Sequence, residues 1–240
     1  MMYLVIVIIG VLAGVISGVV GTGASIMLLP VLAYTFGTKL AIPIMALASI
    51  MGNISRVVLW RRDINLRAFL LYAVPGIPAA ALGANTLWVM PVSLSDICIG
   101  LFFFLLIPLR YWAQSRALKL NDVQLSLAGG VVGYLTGVVF STGPITIPIF
   151  AGYGLIRGGL LSTEAAASFT IYLAKAFTFG AIGALPWPVF ISGLLVGSTL
   201  VAGTYIGKQF VLKMNENTFN RLIDAMMLFA GSSMLYDFFK

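Results

Sequence analysis

The chain has 240 residues, 60% of them hydrophobic and only 9% charged, with a net charge of +7, 26 glycines, one cysteine and no histidine. So little polar surface cannot cover a soluble domain of this size, so the solvent is lipid. Cys98 alone excludes a disulfide framework or a cysteine-based metal site, and the lack of histidine removes the usual general base, proton relay and metal ligand; the chain reads as no enzyme, with no cofactor and no metal.

A membrane span needs about 20 apolar residues. Apolar segments fall near 3–20, 25–36, 41–60, 67–89, 94–112, 123–140, 144–156, 162–184, 188–207 and 219–238. The opening MMYLVIVIIGVLAGVISG has no basic n-region and no A-x-A cleavage site, and reads as a retained first segment rather than a signal peptide. It runs into a break at Gly21, Thr22 and Gly23, after which a short second segment restarts near Ser25. The seventh segment is equally short and follows a second break at Ser141, Thr142 and Gly143, with Pro144 suited to the first turn of a new helix. Both short segments suit half-helices or re-entrant segments.

Shifting the chain by 119 residues lays Gly10, Gly14 and Gly18 on Gly129, Gly133 and Gly137, Ala48 and Ser49 on Ala167 and Ser168, and Arg56 on Lys175. Chance similarity between glycine-rich apolar segments is the plain alternative, but a glycine triple and a buried cation in one register favour two homologous halves, 1–119 and 120–240. Basic residues follow the third segment of the first half (Arg61, Arg62, Arg67) but the fourth segment of the second (Lys208, Lys213, Arg221). With basic loops placed in the cytoplasm, equivalent loops face opposite sides, which gives an inverted-topology repeat. The fold class expected is therefore an all-α polytopic membrane protein of about 8–10 segments with broken or re-entrant helices, multi-pass in the cell (inner or plasma) membrane, both termini outside. Charge scattered through short loops fits this better than a nucleic-acid surface, so nucleic acid is not among the expected partners.

The glycine triples read first as packing faces, and they leave room for a homodimer. The breaks carry more. A helix that restarts in the membrane presents unpaired N–H groups, and two such ends with hydroxyl donors at Thr22, Ser25, Ser141 and Thr142 make an anion site. A kinked helix with its hydroxyls bonded back to the backbone is the alternative. Arg56 either snorkels to the interface or contacts substrate. Lys175 lies deeper and needs an anion, water or a carboxylate such as Asp96, Glu164 or Asp224. Asn53, Thr170 and Tyr172 are neighbours able to add hydrogen bonds. Asp63, Asp122, Glu164, Glu216 and Asp237 are expected in or beside loops, and only Asp96 and Asp224 fall a few residues into a segment; the arrangement argues against cation coordination and weakens proton coupling through a buried carboxylate, which Asp224 keeps open. The expected site is thus Gly21, Thr22, Gly23, Ser25, Asn53, Arg56, Ser141, Thr142, Gly143, Thr170, Tyr172 and Lys175, with a small anion as substrate.

The stretch GVLAGVISGVVGTGASIMLLPVL, with its repeated G-x-x-x-G, Gly-rich break and Pro30-x-Leu32, together with G-x-x-x-G at Gly203 to Gly207, resembles the TauE/SafE family of sulfite exporters and toluene sulfonate uptake permeases. The resemblance spans essentially the whole chain and rests on order and spacing. It departs from the family's pattern at the second break, where Phe140, Ser141, Thr142 and Pro144 stand instead of further glycines. It implies transport of sulfite or organosulfonates across the cytoplasmic membrane. An organic group on such an anion would need an aromatic wall, for which Tyr134, Phe140, Phe169, Tyr172 and Trp187 are candidates. A passive anion channel of the same fold and a non-transporting assembly subunit are the rival readings.

Overall fold

In lipid every backbone amide must find a partner within its own segment, and this composition answers with helix. The computed structural model describes residues 2–20, 24–115, 119–139, 142–210 and 216–238, and among these there is no strand. Ten helices follow in order: α1 (Met2–Val20), α2 (Ala24–Phe36), α3 (Thr38–Trp60), α4 (Leu66–Val89), α5 (Val92–Ser115), α6 (Asp122–Val138), α7 (Gly143–Gly152), α8 (Arg157–Ala181), α9 (Trp187–Phe210) and α10 (Glu216–Phe238). Each predicted apolar segment has its helix. Within α3, α4, α5 and α9, the stretches Thr38–Val58, Leu66–Val89, Val92–Ala113 and Trp187–Ile206 are long and apolar enough to cross a membrane.

The largest boundary difference lies between α7 and α8. The expected segment 144–156 ends early, at Gly152, and the expected segment 162–184 begins early, at Arg157. Gly154, at φ 97°, makes the reversal, as Gly37, at φ 78°, does between α2 and α3; a side chain at either position would be strained. The Arg157-Gly-Gly run looks like loop but continues as helix once the turn is complete.

At 13 and 10 residues, α2 and α7 rise only about 20 and 15 Å, short of the roughly 30 Å hydrocarbon core. Each returns toward the start of the helix before it. Ile6 of α1 and Phe36 of α2 line one groove. In the second hairpin the Leu120 N–H donates to the Gly152 carbonyl at 2.9 Å and the Tyr153 hydroxyl donates to Asp122 at 2.7 Å. That donation raises the Tyr153 phenol, in the turn after α7, above its ordinary value. The helices that leave the two hairpins, α3 and α8, are antiparallel: Arg56 near the end of α3 meets Glu164 near the start of α8, while Ser49 lies beside Tyr172 two turns further on. The hairpins therefore enter the molecule from opposite ends.

Glycine sets the closest crossings. A Cβ built on Gly133 of α6 would stand 2.5 Å from the carbonyl oxygen of Gly76 in α4, and one on Gly14 of α1 would stand 2.5 Å from that of Leu200 in α9. Thus α4 packs on α6 and α1 on α9 with backbone against backbone, where small residues permit dispersion contacts that lipid cannot match. Gly133→Ala should part α4 from α6 and cost about 1–3 kcal/mol of stability. Gly130→Ala, whose added carbon meets only the Pro75 ring at 3.8 Å, should leave the melting midpoint in detergent unchanged. Equal melting of the two variants would refute this account of the crossing.

Polar contacts gather at the end where α4, α6 and α8 begin. Arg67 pairs with Asp122, the Asn65 N–H donates to Thr163 Oγ1 at 2.9 Å, and Asn121 and Gln124 close a capping box on α6. Arg110 of α5 pairs with Asp224 of α10 at 2.7 Å, and Tyr111 donates to the same carboxylate. At the other end Lys39 stands over the Trp88 ring, 5.5 Å from its centroid.

Candidate functional site

Two polar stripes face each other where α3 crosses α8. On α3, Ser49, Asn53 and Arg56 recur at helical spacing, and on α8, Glu164, Ser168, Tyr172 and Lys175 do the same, so each set shares one side of its helix. Burial is nearly complete: Arg56 is 5% exposed, Glu164 1% and Lys175 1%. Charges so placed in a membrane interior must be paired or held by hydrogen bonds.

Arg56 does not snorkel. Its Nη1 donates to Glu164 Oε2 at 2.7 Å and its Nη2 to Asn53 Oδ1, while the Asn53 amide donates to the Ser49 carbonyl at 2.8 Å. The second carboxylate oxygen, Glu164 Oε1, accepts from Ser168 Oγ at 2.7 Å. The expectation that Glu164 belongs in or beside a loop is corrected accordingly. Because α8 starts at Arg157, Glu164 sits about two turns inside the helix, with Arg56 to compensate its charge. The expected scarcity of buried carboxylates, and the weakening of proton coupling built on it, fall with that correction. The pairing spans 108 residues of sequence, and no local signal announces it.

Lys175 takes a different partner from those expected. Its Nζ donates to the carbonyl oxygens of Thr136 and Val139, at 2.8 and 2.9 Å, at the end of α6, and lies 5.8 Å from the centroid of Phe179. Unpaired carbonyls and a negative helix end make that position attractive to a cation. One turn earlier on α8, the Tyr172 hydroxyl lies against the hydroxyls of Ser25, at the start of α2, and Ser49. The tips of the two hairpins therefore reach α8 on adjacent turns, the first at Tyr172 and the second at Lys175.

Thr142 and Gly143 stand at that second tip. Thr142 caps α7 with no side-chain bond to the helix; its Oγ1 is 2.6 Å from Thr136 Oγ1, and its carbonyl accepts from Thr146 Oγ1 at 2.7 Å. Gly143 opens α7 with Pro144 behind it. Ser25, Asn53, Arg56, Thr142, Gly143, Tyr172 and Lys175 are thus gathered along one seam. Thr170 is not: two residues from both Ser168 and Tyr172, it lies on the other side of α8, with its hydroxyl bonded back to the Ala167 carbonyl. Gly21, Thr22, Gly23 and Ser141 lie outside the described residues, as does Phe140. Of the remaining aromatic wall, Trp187 is 72% exposed and Tyr134 faces outward to Thr86, so neither borders the seam.

Sequence reasoning left Glu164, Ser168 and Tyr72 out of the expected site, naming Glu164 only as a possible partner of Lys175. Tyr72 of α4 is buried, electrostatically coupled to Glu164 and Tyr172, and packed on Phe150 of α7 with ring centroids 4.9 Å apart. The one available sign was the spacing of Glu164, Ser168 and Tyr172 on the same helical face as Lys175.

The family profile described as sulfite exporter TauE/SafE matches residues 6–234. No curated protein and no solved structure matches the chain. An all-α bundle with spans of membrane length, a polar seam sealed inside it and a profile match over nearly its whole length agree: the chain belongs to the TauE/SafE sulfite exporter family of membrane transporters.

Proposed function

We propose that the protein is a secondary transporter that carries a sulfur-containing anion, sulfite or an organosulfonate, across the cell membrane by alternating access. The observation that carries this reading is the meeting of two hairpin tips from opposite ends on adjacent turns of α8, at Tyr172 and Lys175. Helix ends, hydroxyls and basic side chains can hold a weakly basic oxyanion with donors alone. Residues 1–119 and 120–240 act as inverted repeats in this reading. Its support is the reciprocal packing of α1 on α9 and α6 on α4, of α3 on α9 and α8 on α4, with α3 against α8 and α5 against α10 on the axis between the halves. The loop end that carries Arg61, Arg67, Arg110 and Arg221 faces the cytoplasm.

A thermal-shift screen of purified protein with sulfite, thiosulfate, sulfoacetate, taurine and benzenesulfonate tests the substrate class. At least one of these should raise the melting midpoint by the amount that mass action requires at its affinity. Uptake of that anion into proteoliposomes should then saturate and show counterflow. Uptake linear in concentration would favour a channel, and no shift with any of the five anions would remove the sulfur-anion reading.

A further inference from the structure

We propose that Glu164 is the proton-binding group of this transporter: it occupies Arg56 in place of the transported anion when the site is empty, and takes up one proton when the anion displaces it. The inference rests on the anion-transport reading above. A carboxylate and a sulfonate offer a guanidinium the same feature, a pair of acceptor oxygens, and Arg56 already holds one such group at 2.7 Å. The guanidinium is fixed by Asn53, which is fixed in turn by the Ser49 carbonyl, so Arg56 stays in place when its partner changes. Ser49 also borders Tyr172, whose hydroxyl lies against Ser25, so a polar track runs from the first hairpin tip through Tyr172 to α3 and Arg56.

Charge balance supplies the coupling. Empty, Arg56 and Glu164 sum to zero. A singly charged anion on Arg56 beside an ionised Glu164 would leave one uncompensated negative charge in a site nine-tenths or more buried, at close quarters with a like charge. Protonation of Glu164 restores the sum. As the Arg56–Glu164 bond breaks, a proton from the solvent bonds to a Glu164 oxygen; as it re-forms on release, the proton returns to solvent on the other side.

Among the described residues, the titratable and charged groups that face Glu164 are Arg56 from α3, Tyr72 from α4 and Tyr172 on α8 itself. The turn before α4 brings the Asp63 backbone carbonyl near Gly159, and α6 and α7 contribute the hydroxyls of Thr136 and Thr142 at the level of Lys175. The pair has no counterpart across the repeat. With the 119-residue shift that lays Arg56 on Lys175, Glu164 falls on Met45, a buried apolar residue of α3, and Lys175 is held by carbonyls, which do not titrate.

The test uses full-length protein in liposomes that hold a pH-sensitive dye, with voltage clamped, and benzenesulfonate and methanesulfonate as probes. Both are singly charged and fully ionised at neutral pH, so no proton rides on the probe. Wild-type uptake should acidify the lumen by one proton per anion, and probe affinity should weaken by up to about tenfold per unit rise in pH. Glu164→Gln, which keeps the size and hydrogen bonds of the side chain, should abolish the acidification and flatten the affinity profile; Glu164→Asp should keep both. Wild-type uptake without acidification, or acidification that persists in Glu164→Gln, would overturn the proposal while leaving anion transport intact. Absence of uptake for every probe would instead overturn the transport reading and this inference with it. If the Gln variant fails to fold, wild-type uptake without acidification still overturns the proposal.

Discussion

Lys175→Met should lower anion uptake by about 10–100-fold, the loss expected when a donor worth about 1.5–3 kcal/mol to a charged partner is removed. The residue stands where the second hairpin tip meets α8, with Nζ on the Thr136 and Val139 carbonyls. Methionine fills the volume but donates nothing, so both carbonyls lose a partner inside the bundle, at about 1–3 kcal/mol of stability. Thr178→Ala is the matched comparison, because that hydroxyl, one turn further along α8, bonds back to the Ala174 carbonyl. Proteoliposome uptake and detergent melting measured on both variants decide the case. If Lys175→Met transports like Thr178→Ala, Lys175 is only a clasp on the end of α6.

Arg56→Ala should cost more stability than any other single change on the seam, about 3–5 kcal/mol, or roughly 6–20 °C in the melting midpoint. Removal of the guanidinium leaves Glu164 buried at 1% exposure, with Ser168 its remaining partner among the described residues. The double variant Arg56→Met/Glu164→Met removes both charges and should recover most of that loss, as replacement of a buried pair by apolar side chains does elsewhere. Transport should stay absent in both. A double variant that regains uptake together with stability would mean that the pair is scaffolding rather than part of the anion's path.

Much of this was legible in the amino-acid order because lipid imposes a simple code. Apolar runs became helices, and the two short runs after glycine breaks became the second arms of hairpins. Lys175 could be read as buried from its apolar neighbours alone. Its partners could not, since backbone carbonyls are common to every residue and carry no sequence label. Glu164 was misplaced because Arg157-Gly-Gly, five residues before it, has the composition of a turn and only the fold shows it as helix. The aromatic wall failed for a related reason: in a helix apolar on every side, no periodicity says which face turns inward, and Tyr134 and Trp187 turn out.

The glycine crossings also order events in time. Gly14 fits against Leu200 and Gly203, so α1 finds its partner only when α9 has been made. At synthesis rates of about 5–20 residues per second, that leaves roughly 10–40 s in which the first helix sits in the bilayer with its small-residue ridge uncovered. In the second half of the chain the order is reversed, since α4 is already waiting when α6 emerges to cover it. Assembly thus ends where translation began, with the first helix docking among the last.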